Sequence, residues 1–429
     1  MKRRKKSRKT NHSEKPSPPR RAKTFSLITV QNASHERKSP LETARTLSVH
    51  AGETAEVLGD SVVTPVFQTA TYCFRKSAEV RAYHEAEVKS RFEYGRYGSP
   101  TQLTLERKLA ELFGTEDALV TSSGMAAVTD TLLTLLSSGD HVVMTSECYR
   151  RTRAFSEKFL SKFGVRVDFV SPRADDVIRA LGRRTKAVFL EIPTNPHLYV
   201  PDIEVVAEKC RKRNIPLLVD PTIAAPFNCD PVGLGADLVI LSLTKYLAGH
   251  NDIIGGAVLG PRALVDRVRE YHGTVGTLLP PLAAYLILRG IKTAALRVRA
   301  QNESALAIAH FLQTHPKVQR VFYPGLPSHP DHEIARKAMN GFGCVVSFEI
   351  QTDLAGAERF VDSLRLFKIG PSLGGVESLA EIVATMSFWD KSRRERKRLG
   401  IGDNLVRLSI GIEDAADLVR DLNKALRKV

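Results

Sequence analysis

From about residue 100 the chain alternates between two hydrophobic periods. Leu105, Leu109, Leu112 and Phe113 fall on one helical face, and Gly114 suits the end of that helix. Short runs that are largely apolar or β-branched follow at 118–121, 141–144, 165–170, 187–191, 215–220, 238–241 and 257–259, most of them separated by helix-period stretches. Strands that are apolar on both faces and spaced by helices predict a parallel sheet covered on both sides. After Leu282 a long helical stretch leads to a second region with its own helices and its own strands, among them 344–350 and 405–410. The fold class is therefore α/β in two domains. A large domain over 101–295 holds a mostly parallel central sheet, and a smaller C-terminal α/β domain spans 296–429. In open α/β sheets ligands sit at the carboxyl ends of strands, so the loops after these runs are where chemistry belongs.

Composition narrows the class. The chain has 429 residues, 43% of them apolar and 26% charged, which is globular and excludes disorder as the main state. The longest uncharged run, 273–288, contains Pro280 and Pro281 and is too short to span a bilayer. Five scattered cysteines without Cys-x-x-Cys spacing argue against a disulfide framework or a zinc ribbon and for a reducing compartment. The net charge of +16 is unevenly placed: residues 1–40 carry 13 Lys/Arg against Glu14 and Glu36, leaving only +5 for the rest. The body is not a basic, nucleic-acid-type domain. The Lys-, Arg-, Ser- and Pro-rich segment 1–40 buries too little apolar surface to order itself. It reads as a solvated tail, a polyanion-touching arm or an organelle transit peptide. Its block of seven basic residues at 1–10 lacks the apolar face of the last. A cytoplasmic location follows, or a plastid if the tail is a transit peptide.

The strand ends carry a constellation. After 118–121 comes Ser122-Ser123-Gly124-Met125-Ala126-Ala127, small residues opening a helix, where free N–H groups and the helix dipole make an anion cup. Taken alone, this also fits a plain tight turn. After 187–191 the turn Pro193-Thr194-Asn195-Pro196 presents one amide. The run 215–220 ends on Asp220, a carboxylate costly to desolvate without a partner, followed by Pro221 and Thr222. After 238–241 come Ser242, Thr244 and Lys245, a lysine placed at the end of a buried strand. Lys245 and Asp220 by themselves also fit an ion pair at the sheet edge. Together the pieces match pyridoxal phosphate. That cofactor needs a lysine for its Schiff base, a phosphate cup, and a carboxylate that keeps the pyridine nitrogen protonated. Lys245 would be the amine, Asp220 the pyridinium partner, and Ser123, Gly124, Met125, Ser242 and Thr244 the cup.

At this point the chain resembles the cysteine/methionine-metabolism family of pyridoxal-phosphate enzymes, from about Thr46 to its C-terminus. The motifs are Tyr94-Gly95-Arg96-Tyr97-Gly98-Ser99-Pro100-Thr101, Cys148-Tyr149-Arg150-Arg151-Thr152, Glu191-Ile192-Pro193-Thr194-Asn195-Pro196, residues 242–251, and Ser372-Leu373-Gly374-Gly375-Val376-Glu377-Ser378-Leu379. Residues 323–330, 386–390 and 404–407 look most like cystathionine γ-synthases of the plant type.

The resemblance implies roles. Tyr94 and Arg96, in an N-terminal arm over 41–100, would reach a neighbouring subunit's cofactor phosphate, making the protein a homo-oligomer, usually a tetramer. Tyr149 would stack on the ring and assist proton transfers, Asn195 would bond the ring oxygen, and Thr222 would pack on the opposite ring face. Arg407 would take the substrate α-carboxylate through a two-pronged contact. Ser372 would help hold Lys245 and substrate, and Glu377 would lie near the amino end of the second substrate. The chain departs from the family at Ser99, where Asn is usual, and at Ile223 and Ala225, where an aromatic and a hydroxyl are common. Residues 380–386 lack the His-Pro of the lyases, which favours a synthase. The implied reaction is condensation of an O-activated homoserine with cysteine. A cystathionine lyase or a sulfhydrylase on the same fold is the alternative.

Overall fold

The computed structural model describes residues 40–53, 61–85 and 91–429, so the basic segment expected over 1–40 lies, but for Pro40, outside the described residues. The chain divides into two units. One comprises 1–37 and 76–91; its described part holds the helix Ser77–His84 and an Arg91–Glu79 ion pair at 2.8 Å. The other, 38–75 and 92–429, carries both sheets and all the candidate site residues.

Seven strands build the first sheet: β1 (Asp117–Thr121), β2 (His141–Thr145), β3 (Arg166–Val170), β4 (Thr185–Glu191), β5 (Leu217–Asp220), β6 (Leu238–Ser242) and β7 (Gly256–Gly260). Their spatial order is β1-β7-β6-β5-β4-β2-β3. β7 runs antiparallel to β1 and β6, and the other pairings are parallel. The reversal of β7 is physical. Parallel neighbours require a crossover, usually a helix, whereas the turn-rich link 243–255 contains none and simply brings the chain back.

The largely apolar runs are explained by helices on both faces. Val142, Met144, Phe189, Leu218 and Ile240 enter one core, while Val143, Val188, Leu190, Leu217 and Val219 enter another. Each of these side chains is fully buried and contributes about 1.5–3 kcal/mol relative to an exposed one.

The second sheet holds β8 (Val318–Phe322), β9 (Val345–Ile350), β10 (Lys368–Ile369), β11 (Leu379–Ile382) and β12 (Leu405–Ser409) in the order β10-β11-β12-β9-β8. Only β10 and β11 pair in parallel. Phe348, Phe360, Leu408, Leu418 and Leu422 belong to its core, which the helices Ala294–Thr314, Leu354–Asp362 and Ala415–Leu426 help to enclose. Among the described residues no helix is long and apolar enough to cross a membrane.

Two glycines bring the helix Gly124–Leu135 against the sheet. A Cβ on Gly256 would lie 2.2 Å from the Ser123 carbonyl oxygen, and one on Gly124 would lie 2.9 Å from Ser242 Cβ. Only bare backbone permits this approach. The helix N-terminus is thereby set beside the end of β6, where Lys245 follows three residues later.

Candidate active site

Lys245 donates from Nζ to Ser372 Oγ at 2.7 Å, across 127 residues of sequence. The amine is mostly buried, and burial pulls its pKa from 10.5 to about 8. The positive charge of Arg407 adds to that shift and Glu381 opposes it. Ser372 has φ +102°, a strained conformation for a residue with a side chain. In that conformation its hydroxyl faces Lys245 while its carbonyl accepts from Arg407 Nη2 at 3.2 Å. One serine thus joins both cations.

Arg407 sits in the middle of β12 and is only 5% exposed. Its Nη1 donates to Asn195 Oδ1 at 3.1 Å, and its Nη2 lies 3.1 Å from Glu381 Oε1. With Oδ1 committed, Asn195 keeps its NH2 group as a donor. Asn195 belongs to the turn after β4, whose two X–Pro bonds, Ile192–Pro193 and Asn195–Pro196, are cis.

Asp220 closes β5 and accepts the Thr222 N–H at 2.9 Å. Burial pushes its carboxyl up to about 6, against the opposing hydrogen bonds from Thr222. The Thr222 hydroxyl in turn accepts the Ser242 N–H at 3.0 Å, tying the loop after β5 to the end of β6.

Opposite Asp220 in register stands Glu191, the last residue of β4. Its carboxyl is driven well above the ordinary range, first by burial and then by Asp220, although it accepts the Tyr149 N–H. The sequence reading gave Glu191 no role. The signal that marked Asp220, a carboxylate ending an apolar strand, marks it equally.

The remaining expected residues divide. Ser123 Oγ accepts the Ala126 N–H at 3.0 Å and so caps the helix, leaving the first-turn N–H groups of Gly124 and Met125 without intrahelical acceptors. The sulfur of Met125 accepts from Thr152 Oγ1 at 3.6 Å. The Thr244 hydroxyl is turned to its own loop, bonding the Gly255 carbonyl at 3.2 Å and accepting the Gly255 N–H at 3.0 Å. The Tyr149 side chain is exposed at the start of the helix Arg150–Lys158. Arg96 donates to the Gly273 carbonyl at 2.6 Å, with its guanidinium 5.6 Å from the Tyr94 ring centre. Glu377 accepts from Asn251 Nδ2 at 2.7 Å. Among the described residues no hydrogen bond or ion pair joins Tyr94, Arg96 or Glu377 to Lys245. None forms a group of three or more His, Cys, Asp or Glu placed to hold a metal ion.

The donor set fits pyridoxal phosphate. A mostly buried amine of lowered pKa, a carboxylate at a strand end, a side-chain amide donor and a glycine-lined helix N-terminus converge at one edge of the sheet. Residues 45–427 match the model of the Cys/Met metabolism PLP-dependent enzymes. The chain belongs to that family. Within it, the chain is 46% identical to the chloroplastic cystathionine gamma-synthase 1 of Arabidopsis thaliana, over 92% of this chain and 70% of that one. It is 39% identical to an L-methionine gamma-lyase of Fusobacterium nucleatum subsp. polymorphum, over 90% and 98%. The crystal structure of metB from Corynebacterium glutamicum superimposes with a TM-score of 0.84 at 36% identity, covering 90% of this chain and 97% of that one. The family is thus a pyridoxal-phosphate-dependent one, as the strand-end residues imply.

A pKa lowered to about 8 means that Lys245 is a free amine above that pH, whereas exposed lysines remain charged to about 10.5. In the cofactor-free chain, reductive methylation of Lys245 followed by peptide mass spectrometry is expected to reach half its maximal rate near pH 8. A half-rise near that of exposed lysines would contradict the assigned environment.

Proposed function

We propose that this chain catalyses γ-replacement, condensing an O-activated homoserine with cysteine to give cystathionine, with pyridoxal phosphate held as a Schiff base by Lys245. The observation that carries the reading is the junction at Ser372, which sets a buried amine of lowered pKa beside a buried guanidinium fork. Two further features favour the synthase: its similarity to relatives named cystathionine gamma-synthase, and the absence of His-Pro from residues 380–386.

When bound, pyridoxal phosphate supplies an electron sink for negative charge at the substrate α-carbon. Asp220 would keep the ring nitrogen protonated, and the N–H groups of Gly124 and Met125, with Ser242, would take the phosphate. Asn195 would donate its free NH2 to the ring oxygen. Thr222 and Tyr149 would flank the ring. Arg407 would receive the α-carboxylate with its planar fork, a geometry lysine cannot supply. The Lys245 amine would then remove the α-proton and later a β-proton, so that the γ-substituent leaves and a cysteine thiolate adds at Cγ. A pKa near the operating pH suits one amine to taking and returning protons in turn. Glu377, held by Asn251, would receive the second substrate's amino group.

The same cluster would serve a cystathionine lyase or a sulfhydrylase, and lyases stand among the relatives at 38–39% identity. We also read the protein as a homotetramer, a dimer of dimers whose arm over 41–100 carries Tyr94 and Arg96 to a neighbour's site. The exposed rings of Tyr94 and Tyr97 suit such a contact. The domain limits 101–295 and 296–429 belong to the same reading. So does a cytoplasmic location, with a plastid as the alternative because two plant relatives are named chloroplastic.

Incubation of the holoenzyme with cysteine and each of O-phospho-, O-succinyl- and O-acetylhomoserine is expected to give net cystathionine from one ester. Rapid breakdown of cystathionine to an oxo acid, with little synthesis, would move the assignment to a lyase. Product formation from sulfide but not cysteine would move it to a sulfhydrylase. Sedimentation of the holoenzyme as a tetramer is expected, and a stable, active monomer would overturn the shared site.

A further inference from the structure

Arg407 already has a carboxylate partner, and the partner comes from the chain itself. Glu381 on β11 stands directly opposite Arg407 on β12 in the antiparallel register, with Ser347 of β9 on the other side of the arginine. The three residues are 1%, 5% and 0% exposed, so the row is largely shielded from water. Glu381 Oε1 lies 3.1 Å from Arg407 Nη2 and accepts from Ser387 Oγ at 2.7 Å. Among the described residues Glu381 Oε2, Arg407 Nε and Ser347 Oγ have no hydrogen-bond partner, although buried polar atoms are normally paired.

A buried guanidinium without an anion is costly, so the free protein needs a counter-ion at this place. An arriving substrate carboxylate must then share the fork with the resident one, and like charges close together in a poorly solvated row oppose each other. The close oxygen contact of the ion pair and the charge of Glu381 therefore act in opposite directions. The first holds the fork in line with Asn195 and Ser372, and the second weakens its hold on any further anion.

We propose that Glu381 is a positioning residue of the active site, a resident counter-ion that aligns the Arg407 fork and limits how tightly it grips the substrate α-carboxylate. The proposal rests on the reading of Arg407 as the carboxylate site. It assigns the two effects to separable features of one side chain. A glutamine keeps the acceptor oxygen and removes the charge; an alanine removes both; an aspartate keeps the charge.

The test is calorimetric binding of L-norvaline, an amino acid with no γ-leaving group, and of n-butylamine, the same molecule without the carboxylate, to the holoenzyme. Wild type is expected to prefer norvaline, and Arg407→Lys to lose that preference. Glu381→Gln is expected to bind norvaline roughly tenfold more tightly, the size of a modest change in charge balance, with butylamine unchanged. Glu381→Ala is expected to bind norvaline more weakly than Glu381→Gln does, and Glu381→Asp to stay near wild type. The visible absorbance of the bound cofactor reports whether each variant is folded and loaded; if the alanine variant fails to fold, the near-isosteric glutamine variant carries the test. Equal norvaline affinity in wild type and Glu381→Gln would overturn the proposal, as would a parallel change for both ligands. A wild type that does not distinguish the two ligands would overturn the Arg407 reading instead, which the Arg407→Lys comparison makes visible.

Discussion

An amine works as a base near neutral pH only where its charged form has been made expensive, and much around Lys245 follows from that constraint. Burial lowers its pKa, and so does the neighbouring cation Arg407, which must itself be buried and compensated. The compensation is local. Asn195, the Ser372 carbonyl and Glu381 take hydrogen bonds or charge from the one guanidinium, and all three lie beyond its own strand. The second domain thus supplies Arg407, Ser372 and Glu381, and the first supplies Lys245 and Asn195. The candidate site lies where residues carried by the two sheets meet.

The first domain solves a matching problem with opposite sign. Glu191 and Asp220 end adjacent parallel strands, so the register sets two carboxyl groups side by side at the sheet edge. Burial raises both pKa values, and their mutual repulsion raises Glu191 further. A cationic ring nitrogen placed beside Asp220 would relieve that strain, which gives the carboxylate a physical reason to be where it is. The ledge above them depends on Gly124 and Gly256, where any side chain would collide with backbone or with Ser242.

Much of this was legible in the chain. The seven strands of the first sheet correspond to the seven largely apolar runs, because the inner strands, covered on both faces, carry few polar positions; the edge strand β3 keeps Arg166 and Asp168. Lys245 and Asp220 stand out as charged residues at the ends of apolar strands, whereas the Ser123–Gly124–Met125 turn taken alone also fits a plain tight turn. The direction of β7 is not legible in this way, because it depends on the link 243–255 and not on the strand's own pattern. The contact of the Thr244 hydroxyl with Gly255 likewise depends on the fold of the link 243–255. Glu381 sits in a tract, 380–386, with no local pattern that marks it as part of a site. Its pairing with Arg407 exists through the β11–β12 register, which no local spacing discloses.

The most direct test of the central claim is to reduce the holoenzyme with borohydride and locate the cofactor-bearing lysine by peptide mass spectrometry. The account predicts pyridoxyl modification at Lys245 alone, at a stoichiometry near one per chain. Modification of another lysine, or substoichiometric label spread over surface lysines, would contradict it.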